Sequence, residues 1–377
     1  MKLLHKFADL GKLQGPLHLA VGVFDGVHLG HQAVIGAAKD AREQSGFKGD
    51  IVVVTFDPHP VRVLSPQNAP RLLTATTHKV QILDRYLKIE NVLAVEFTRE
   101  FSEQPGEQFI SDLVAAAPEG GIGSIAVGKD WRFGKGRGGN VALLSELGER
   151  YGFVVNGVET VGVDGMNVSS TRIREAVAAG DFNIAENLLG RPYTVFGTVI
   201  EGRKLGRTIG FPTANLTVHS EQLPPTGVYA VRATGYGDSW DGVGNLGYRP
   251  TVEGGKVKRL LEVHLFGLEH EIYGEEFWNL LLRNLHILKL RYHPGSGDPI
   301  PNKEYNRHNN PLNCEFLIVV HEAPNNRDDW REENRENTPE SVTRFKDFDQ
   351  TEYPEYEPCD ASYYCENSSY YCHSIIF

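Results

Sequence analysis

The sequence predicts an α/β fold: an open parallel sheet, then a β-rich unit, then an acidic tail. Three observations carry this. A buried strand, an Ala-rich helix and a second buried strand follow one another within about 40 residues, a βαβ unit whose crossover implies a parallel sheet. From Tyr193 the pattern changes to short β segments separated by Gly and Pro. Residues 301–377 hold 16 Asp or Glu against 7 Lys or Arg, so they carry −9 of the net charge of −11.

The first strand is the apolar run Leu17–Phe24, the helix runs from His31 to about Ser45, and the second strand is Asp50–Phe56. Further strands are expected near Val92–Phe97, Ser124–Gly128 and Gly152–Val158, with helices near Gly106–Ala116 and Val141–Arg150. A helical stretch, Ser169–Leu189, is closed by Gly190-Arg191-Pro192, a stop signal that marks a boundary. Beyond it, Val195–Ile200, Gly227–Ala233, Gly242–Gly247 and Arg259–Phe266 read as strands of a small barrel or sandwich. After about Phe277 apolar periodicity is lost, except at Phe316–Val320, which suits a solvated tail.

A chain of 377 residues, 40% hydrophobic, accommodates two or three domains. It has no run of 18 apolar residues, and Met1–Gly15 lacks a secretory signal, so a soluble cytoplasmic protein with no membrane partner is expected. The negative charge argues against a nucleic-acid partner, which needs Lys and Arg on phosphates. All four cysteines, Cys314, Cys359, Cys365 and Cys372, lie in the tail at spacings unlike a zinc site, and the body has no thiol chemistry.

Chemistry concentrates at the turn Gly22-Val23-Phe24-Asp25-Gly26-Val27-His28-Leu29-Gly30-His31. Open sheets bind ligands at the carboxyl ends of their strands, and the free N–H groups of the following helix favour phosphate. Two imidazoles separated by a glycine that allows close backbone approach can hydrogen-bond nucleotide phosphates. In Ser169-Ser170-Thr171-Arg172-Ile173-Arg174, hydroxyls and guanidinium groups open another helix. They match triphosphate oxygens, or simply cap the helix. The third segment, Gly202 to Asn215, spaces glycines at 202, 206 and 210 so that backbone can wrap a phosphate, or equally turn a barrel corner. Thr213 and Asn215 then present oxygens on one side of an extended strand, a donor set suited to Mg2+.

Together with Thr55-Phe56-Asp57-Pro58-His59-Pro60 and Val127-Gly128-Lys129-Asp130-Trp131-Arg132-Phe133-Gly134, these motifs resemble the bacterial bifunctional riboflavin kinase/FMN adenylyltransferase (FAD synthetase) family, from about residue 15 to residue 276. The resemblance implies a Rossmann-like nucleotidyltransferase domain followed by a small antiparallel β-barrel riboflavin kinase domain. ATP would be co-substrate, and riboflavin, FMN and FAD substrates or products. It makes His28, His31 and Arg172 catalytic, with Gly22, Phe24, Asp25, Gly30, Ser169 and Thr171 on the nucleotide. Asp57, His59, Pro60, Asp130 and Phe133 would line the flavin side. In the barrel it implies Gly202, Gly206 and Gly210 on the phosphates, Thr213 and Asn215 on Mg2+, and Glu262 as the base taking a proton from riboflavin's 5′-hydroxyl. By alternation alone, Glu262 is equally an exposed strand residue.

The expected divisions are 1–190, 191–285 and a poorly ordered acidic tail, 286–377. The chain is expected to be a monomer or weak homo-oligomer. All motifs of the adenylyl-transfer half precede Arg191, so that half is expected to work alone. After Glu276 no replacement is visible for the family's next strand and closing helix. An incomplete barrel is therefore expected, with riboflavin phosphorylated less well than FMN is adenylylated. Two other readings are an adenylyltransferase for another phosphate ester and a non-catalytic flavin- or nucleotide-binding module. The Gly-Phe-Pro-Thr-Ala-Asn segment argues against the first, and intact His28, His31 and Arg172 against the second.

Overall fold

In the computed structural model, which describes residues 1–46, 48–200, 212–218, 222–235, 238–250, 257–268, 272, 276–284, 291–294 and 314–317, six parallel strands form the first sheet. They are β1 (Lys2–Leu4), β2 (Leu17–Val21), β3 (Ile51–Asp57), β4 (Asn91–Glu96), β5 (Ile122–Gly128) and β6 (Val154–Val158), in the order β1-β4-β3-β2-β5-β6. Every residue of β2 is buried, because both faces of a parallel sheet are covered by helices. Side-chain alternation divides the core. Leu19, Val21, Val52 and Val54 pack with Phe109, Ile110, Leu144 and Leu147 on one face, while Ala20 and Val53 pack with Val34, Ile35, Val80 and Leu83 on the other.

The helices are α1 (Leu29–Gln44), α2 (Pro60–Leu64), α3 (Thr76–Leu87), α4 (Arg99–Ser102), α5 (Gly106–Ala115), α6 (Val141–Tyr151), α7 (Ser170–Ala179) and α8 (Phe182–Leu189). Two differences from the sequence reading matter. The expected Ser169–Leu189 helix is broken in two at Gly180, which takes a left-handed conformation. Helix α3 was not anticipated, because Ala75 supplies no side-chain cap and its apolar spacing, Val80, Leu83, Leu87, is interrupted by polar residues.

A short hairpin, β7 (Gly162–Val163) and β8 (Met166–Asn167), precedes α7. Strands β9 (Thr194–Ile200), β10 (Ala214–Val218), β11 (Gly227–Gly235), β12 (Asp238–Pro250), β13 (Val257–Leu265) and β14 (Glu276–Asn284) close an antiparallel barrel in the order β10-β13-β12-β11-β14-β9. The expectation that nothing replaces the strand after Glu276 is thereby corrected. β14 is that strand, paired to β11 on one side and β9 on the other. Ladder pairing uses backbone N–H and C=O groups, which the apolar run Phe277-Trp278-Asn279-Leu280-Leu281-Leu282 supplies as well as any other sequence. Strands β15 (Arg291–Pro294) and β16 (Cys314–Leu317) form a separate antiparallel pair, and the rest of 286–377 lies outside the described residues.

The barrel and the sheet domain share a core. Leu73, Ile173, Val177, Leu188 and Leu189 belong to one buried cluster with Val195, Leu216, Tyr229, Val231 and Leu261 of the barrel. His78 of α3 hydrogen-bonds Thr194 (3.1 Å) and stacks on Phe196, both on β9. The Gln222 N–H donates to the Leu72 carbonyl. Among the described residues no helix is long and apolar enough to cross a membrane.

A chain ending at Arg191 would therefore expose Ile173, Val177, Leu188 and Leu189 to water. At about 1.5–3 kcal/mol for each apolar side chain fully uncovered, its melting temperature is expected to fall by about 10–50 °C. Scanning calorimetry of the fragment beside the full chain checks this, and an unchanged melt would mean that the two halves do not depend on the shared cluster.

Candidate active site

The strand order reverses at β2, whose neighbours β3 and β5 lead to opposite edges of the sheet, and the crevice of such a sheet opens there. Residues 22–28 form the turn from β2 into α1. His28 is the N-cap of α1, and its Nδ1 accepts the His31 backbone N–H at 3.3 Å. Accepting through Nδ1 fixes the neutral tautomer, with the proton on Nε2. The two rings stack at 3.5 Å with 16° between planes, and Phe24 meets His31 edge-on at 5.3 Å. A Cβ on Gly30 would lie 3.2 Å from the His28 ring, so glycine here leaves room for the imidazole to fold over the helix start.

Burial pushes His28 down to about 4, against its own backbone hydrogen bond, with the Arg174 charge adding a smaller push in the same direction. His31 lies well below the usual range, through burial first and then the charges of His28 and Lys79. Both imidazoles are therefore neutral near pH 7. They can act on phosphate as N–H donors at the positive end of the helix dipole, not as fixed cations. Among the described residues His31 Nδ1 is buried with no hydrogen-bond partner.

The turn itself is strained. Phe24 (φ 52°) and Val27 (φ 46°) occupy the left-handed region, which costs a non-glycine residue about 1–3 kcal/mol. Neighbouring elements hold it there. Asp25 accepts the N–H groups of Leu73 (2.9 Å) and Thr74 (3.1 Å) through one oxygen and a hydrogen bond from Arg174 through the other. Ser170 donates to the Asp25 carbonyl, Arg191 to the Gly26 carbonyl and Gln32 to the Val27 carbonyl. Thr55 and Lys79 both donate to the Val23 carbonyl, at 2.9 and 2.7 Å. Asp25, expected on the nucleotide, is thus 3% exposed and committed to the protein on both oxygens, beneath the site rather than in its lining.

The Ser169 hydroxyl caps α7 by accepting the Arg172 N–H, and Thr171 is exposed. Arg172 folds back to donate to the carbonyls of Met166 and Asn167. Of the two arginines of α7, Arg174 is the one that reaches the turn, and it also donates to the Arg71 carbonyl. On the opposite rim, Asp57 ends β3 in an exposed position, while His59 caps α2 by accepting the Val61 N–H and Pro60 takes the first helical position. Asp130 is exposed after β5. Phe133, expected against the flavin, is a core residue, 6% exposed and packed in the Phe109 cluster. The half-buried Trp131 stacks on it at 4.4 Å and presents the more open aromatic face.

In the barrel, register brings three polar residues into one row. Glu262 lies directly opposite Asn215 on one side and Asn245 on the other. Asn215 is 5% exposed, and its Oδ1 has no hydrogen-bond partner among the described residues. An orphaned carboxamide oxygen two residues from the Thr213 hydroxyl is a hard oxygen pair, which fits Mg2+ on a nucleotide. The expected phosphate-wrapping Gly202, Gly206 and Gly210 lie outside the described residues. Sequence reasoning passed over Lys79 and Arg191, and it read Arg174 as a guanidinium for phosphate, whereas here it bonds Asp25 and the Arg71 carbonyl. Arg191 stood inside a segment it singled out, whereas Lys79 lay in the unanticipated α3.

The FAD synthetase family model matches residues 12–172 and the riboflavin kinase model residues 189–287. The bifunctional riboflavin kinase/FMN adenylyltransferase of Haemophilus influenzae is 38% identical over 276 residues, 73% of this chain and 87% of that protein. The Escherichia coli K12 protein of the same description is 37% identical over 288 residues, 76% and 90% of the two chains. That of Bacillus subtilis is 39% identical over 260 residues, 68% and 80%. A crystal structure described as a macrolide-efflux protein from Streptococcus pneumoniae is also similar, with a TM-score of 0.60 and 28% identity, covering 74% of this chain and 89% of the other.

The neutral His28 gives the site a pH signature. An unfolded chain's histidine binds a proton below about pH 6.5, whereas folded His28 does so only at about 4. Its contribution is present above pH 6.5 and lost as pH falls through that window, by up to about 3 kcal/mol. Denaturant unfolding at pH 7 and pH 4.5 should show a smaller pH dependence in His28→Asn, which keeps a capping oxygen but has no ring to protonate.

Proposed function

The chain belongs to the bifunctional riboflavin kinase/FMN adenylyltransferase family, and on that premise we propose how each half acts in making FMN and FAD. The observation that carries the reading is the pair of neutral, stacked imidazoles at the start of α1, standing on a turn that other elements hold in a strained shape. Such donors are preorganised for an oxyanion and need no reorganisation when charge develops.

In the first half, a phosphate oxygen of FMN attacks the α-phosphorus of ATP. The new P–O bond forms as the α–β bridging bond breaks, and pyrophosphate leaves with its electron pair. No protein nucleophile takes part. His28 Nε2–H, His31 and the free N–H groups of α1 bind the ATP phosphates, with Gly22, Phe24 and Gly30 shaping the approach. Ser169, Thr171 and Arg172 complete the phosphate side when Arg172 swings from the β8 carbonyls toward the nucleotide. Asp57, His59, Pro60, Asp130 and Phe133, the last through Trp131 stacked on it, form the flavin side.

In the barrel, riboflavin's 5′-hydroxyl attacks the γ-phosphorus of ATP, Glu262 accepts the hydroxyl proton, and ADP leaves. Thr213 and Asn215 would hold Mg2+, which would neutralise charge on the transferred phosphate. β14 supplies the strand whose expected absence was one of the two reasons for expecting a weak kinase; the other, the closing helix, has no counterpart among the described residues. A cytoplasmic, monomeric or weakly self-associating protein without nucleic-acid or membrane partners completes the proposal, supported by the net charge of −11.

The full chain incubated with Mg-ATP and either riboflavin or FMN, with flavins resolved by chromatography, tests both halves. His31→Ala is expected to slow FAD formation by at least about 100-fold while leaving FMN formation near the parent rate. Glu262→Gln is expected to do the reverse, with a loss of about 100-fold in riboflavin phosphorylation. A folded His31→Ala protein that makes FAD at the parent rate would refute the phosphate-site assignment.

A further inference from the structure

Lys79 is a buried cation outside every motif of the sequence. It lies on α3, 4% exposed, with Nζ 2.7 Å from the Val23 carbonyl and 3.0 Å from Thr55 Oγ1. Among the described residues no carboxylate is within ion-pair distance of it. Thr55 already donates to the same carbonyl at 2.9 Å, so the turn has a tether without the ammonium. A lysine placed there adds a charge, and burying an ammonium is costly where a neutral donor already suffices. The charge lies at the carboxyl ends of β2 and β3, directly beneath the turn that carries Phe24 and leads to the two imidazoles.

We propose that Lys79 is a positioning residue of the adenylyl-transfer site, its buried ammonium fixing the Val23 carbonyl and supplying positive charge under the phosphate turn. The inference rests on the adenylyltransferase reading above. Substrate adds anions to a cation whose nearest carboxylates, Asp25 and Asp57, act on it only beyond ion-pair distance. Charge on the oxygen that bridges to pyrophosphate grows as its bond to the α-phosphorus breaks, so a fixed cation beneath the phosphates favours the transition state over the bound ground state. The groups facing it are Asp25 in the turn, Asp57 at the end of β3, His31 on α1 and His59 capping α2. Burial lowers Lys79 to about 8, and the two carboxylates oppose that shift. The site therefore loses the charge as pH rises through about 8.

The test uses the full chain with Lys79→Met, which keeps the packing, and Lys79→Gln, which keeps a donor for Val23 but no charge. Both are expected to lower kcat for FAD formation by at least about 30-fold with KM for ATP within about threefold, because the loss falls on the transition state. Riboflavin phosphorylation by the barrel in the same protein should stay within about twofold, reporting an intact fold. The parent's kcat/KM for ATP should decline above about pH 8, and both variants should lack that limb. Full activity in Lys79→Gln would overturn the role of the charge. Equal loss of both activities with a lowered melting temperature would overturn it too, by making Lys79 a residue of the fold alone. A parent that makes no FAD would instead refute the adenylyltransferase reading itself.

Discussion

The turn from β2 into α1 is the constraint on which the rest depends. Two of its residues, Phe24 and Val27, sit in backbone conformations that a free chain would leave, and Val27 is β-branched, for which the left-handed region is least tolerable. Such a shape persists only where surrounding structure over-determines it. Here β3, α1, α3, α7, residues 71–75 and the segment between α8 and the barrel each contribute a hydrogen bond to it. His28 and His31 point where they do because this turn is held, and α1 starts at Leu29 for the same reason.

Charge in the site is arranged in two layers. The surface that meets phosphate is made of neutral imidazoles and helix N–H groups, while full charges, Lys79 and the Asp25–Arg174 pair, are kept behind it. The buried charges are screened by salt much less than exposed ones would be. Because Asp25 bonds two backbone amides and a guanidinium at once, removing any one partner leaves a buried polar group uncompensated. This explains why an aspartate in a phosphate-binding motif need not touch phosphate.

The same scaffold ties the two halves together. Consecutive residues of α3 serve different halves, His78 bonding Thr194 of the barrel and Lys79 bonding Val23 of the turn. Leu73, whose N–H is bonded by Asp25, lies in the cluster that continues into the barrel. Arg191 reaches the Gly26 carbonyl from the start of the barrel and covers the Tyr86 ring. The adenylyl-transfer turn and the barrel thus share a rigid neighbourhood, although each carries its own chemistry.

Local patterns in the sequence were enough for the parallel sheet, most of its helices, the phosphate turn and the start of the barrel. Apolar runs, helix stops and glycine spacing are properties of neighbouring residues, and His28 and His31 are both placed by one turn of α1. What only the tertiary structure decided are the contacts across long sequence separations. Lys79 meets Val23 across 56 residues and Arg174 meets Asp25 across 149, and no periodicity encodes either pairing. The same holds for β14, since barrel closure depends on which backbone edges remain unpaired and not on a motif in Glu276–Asn284. Asp25 and Phe133 turned inward for a related reason. A motif fixes which residue stands at a position, while packing decides whether its side chain faces ligand or core.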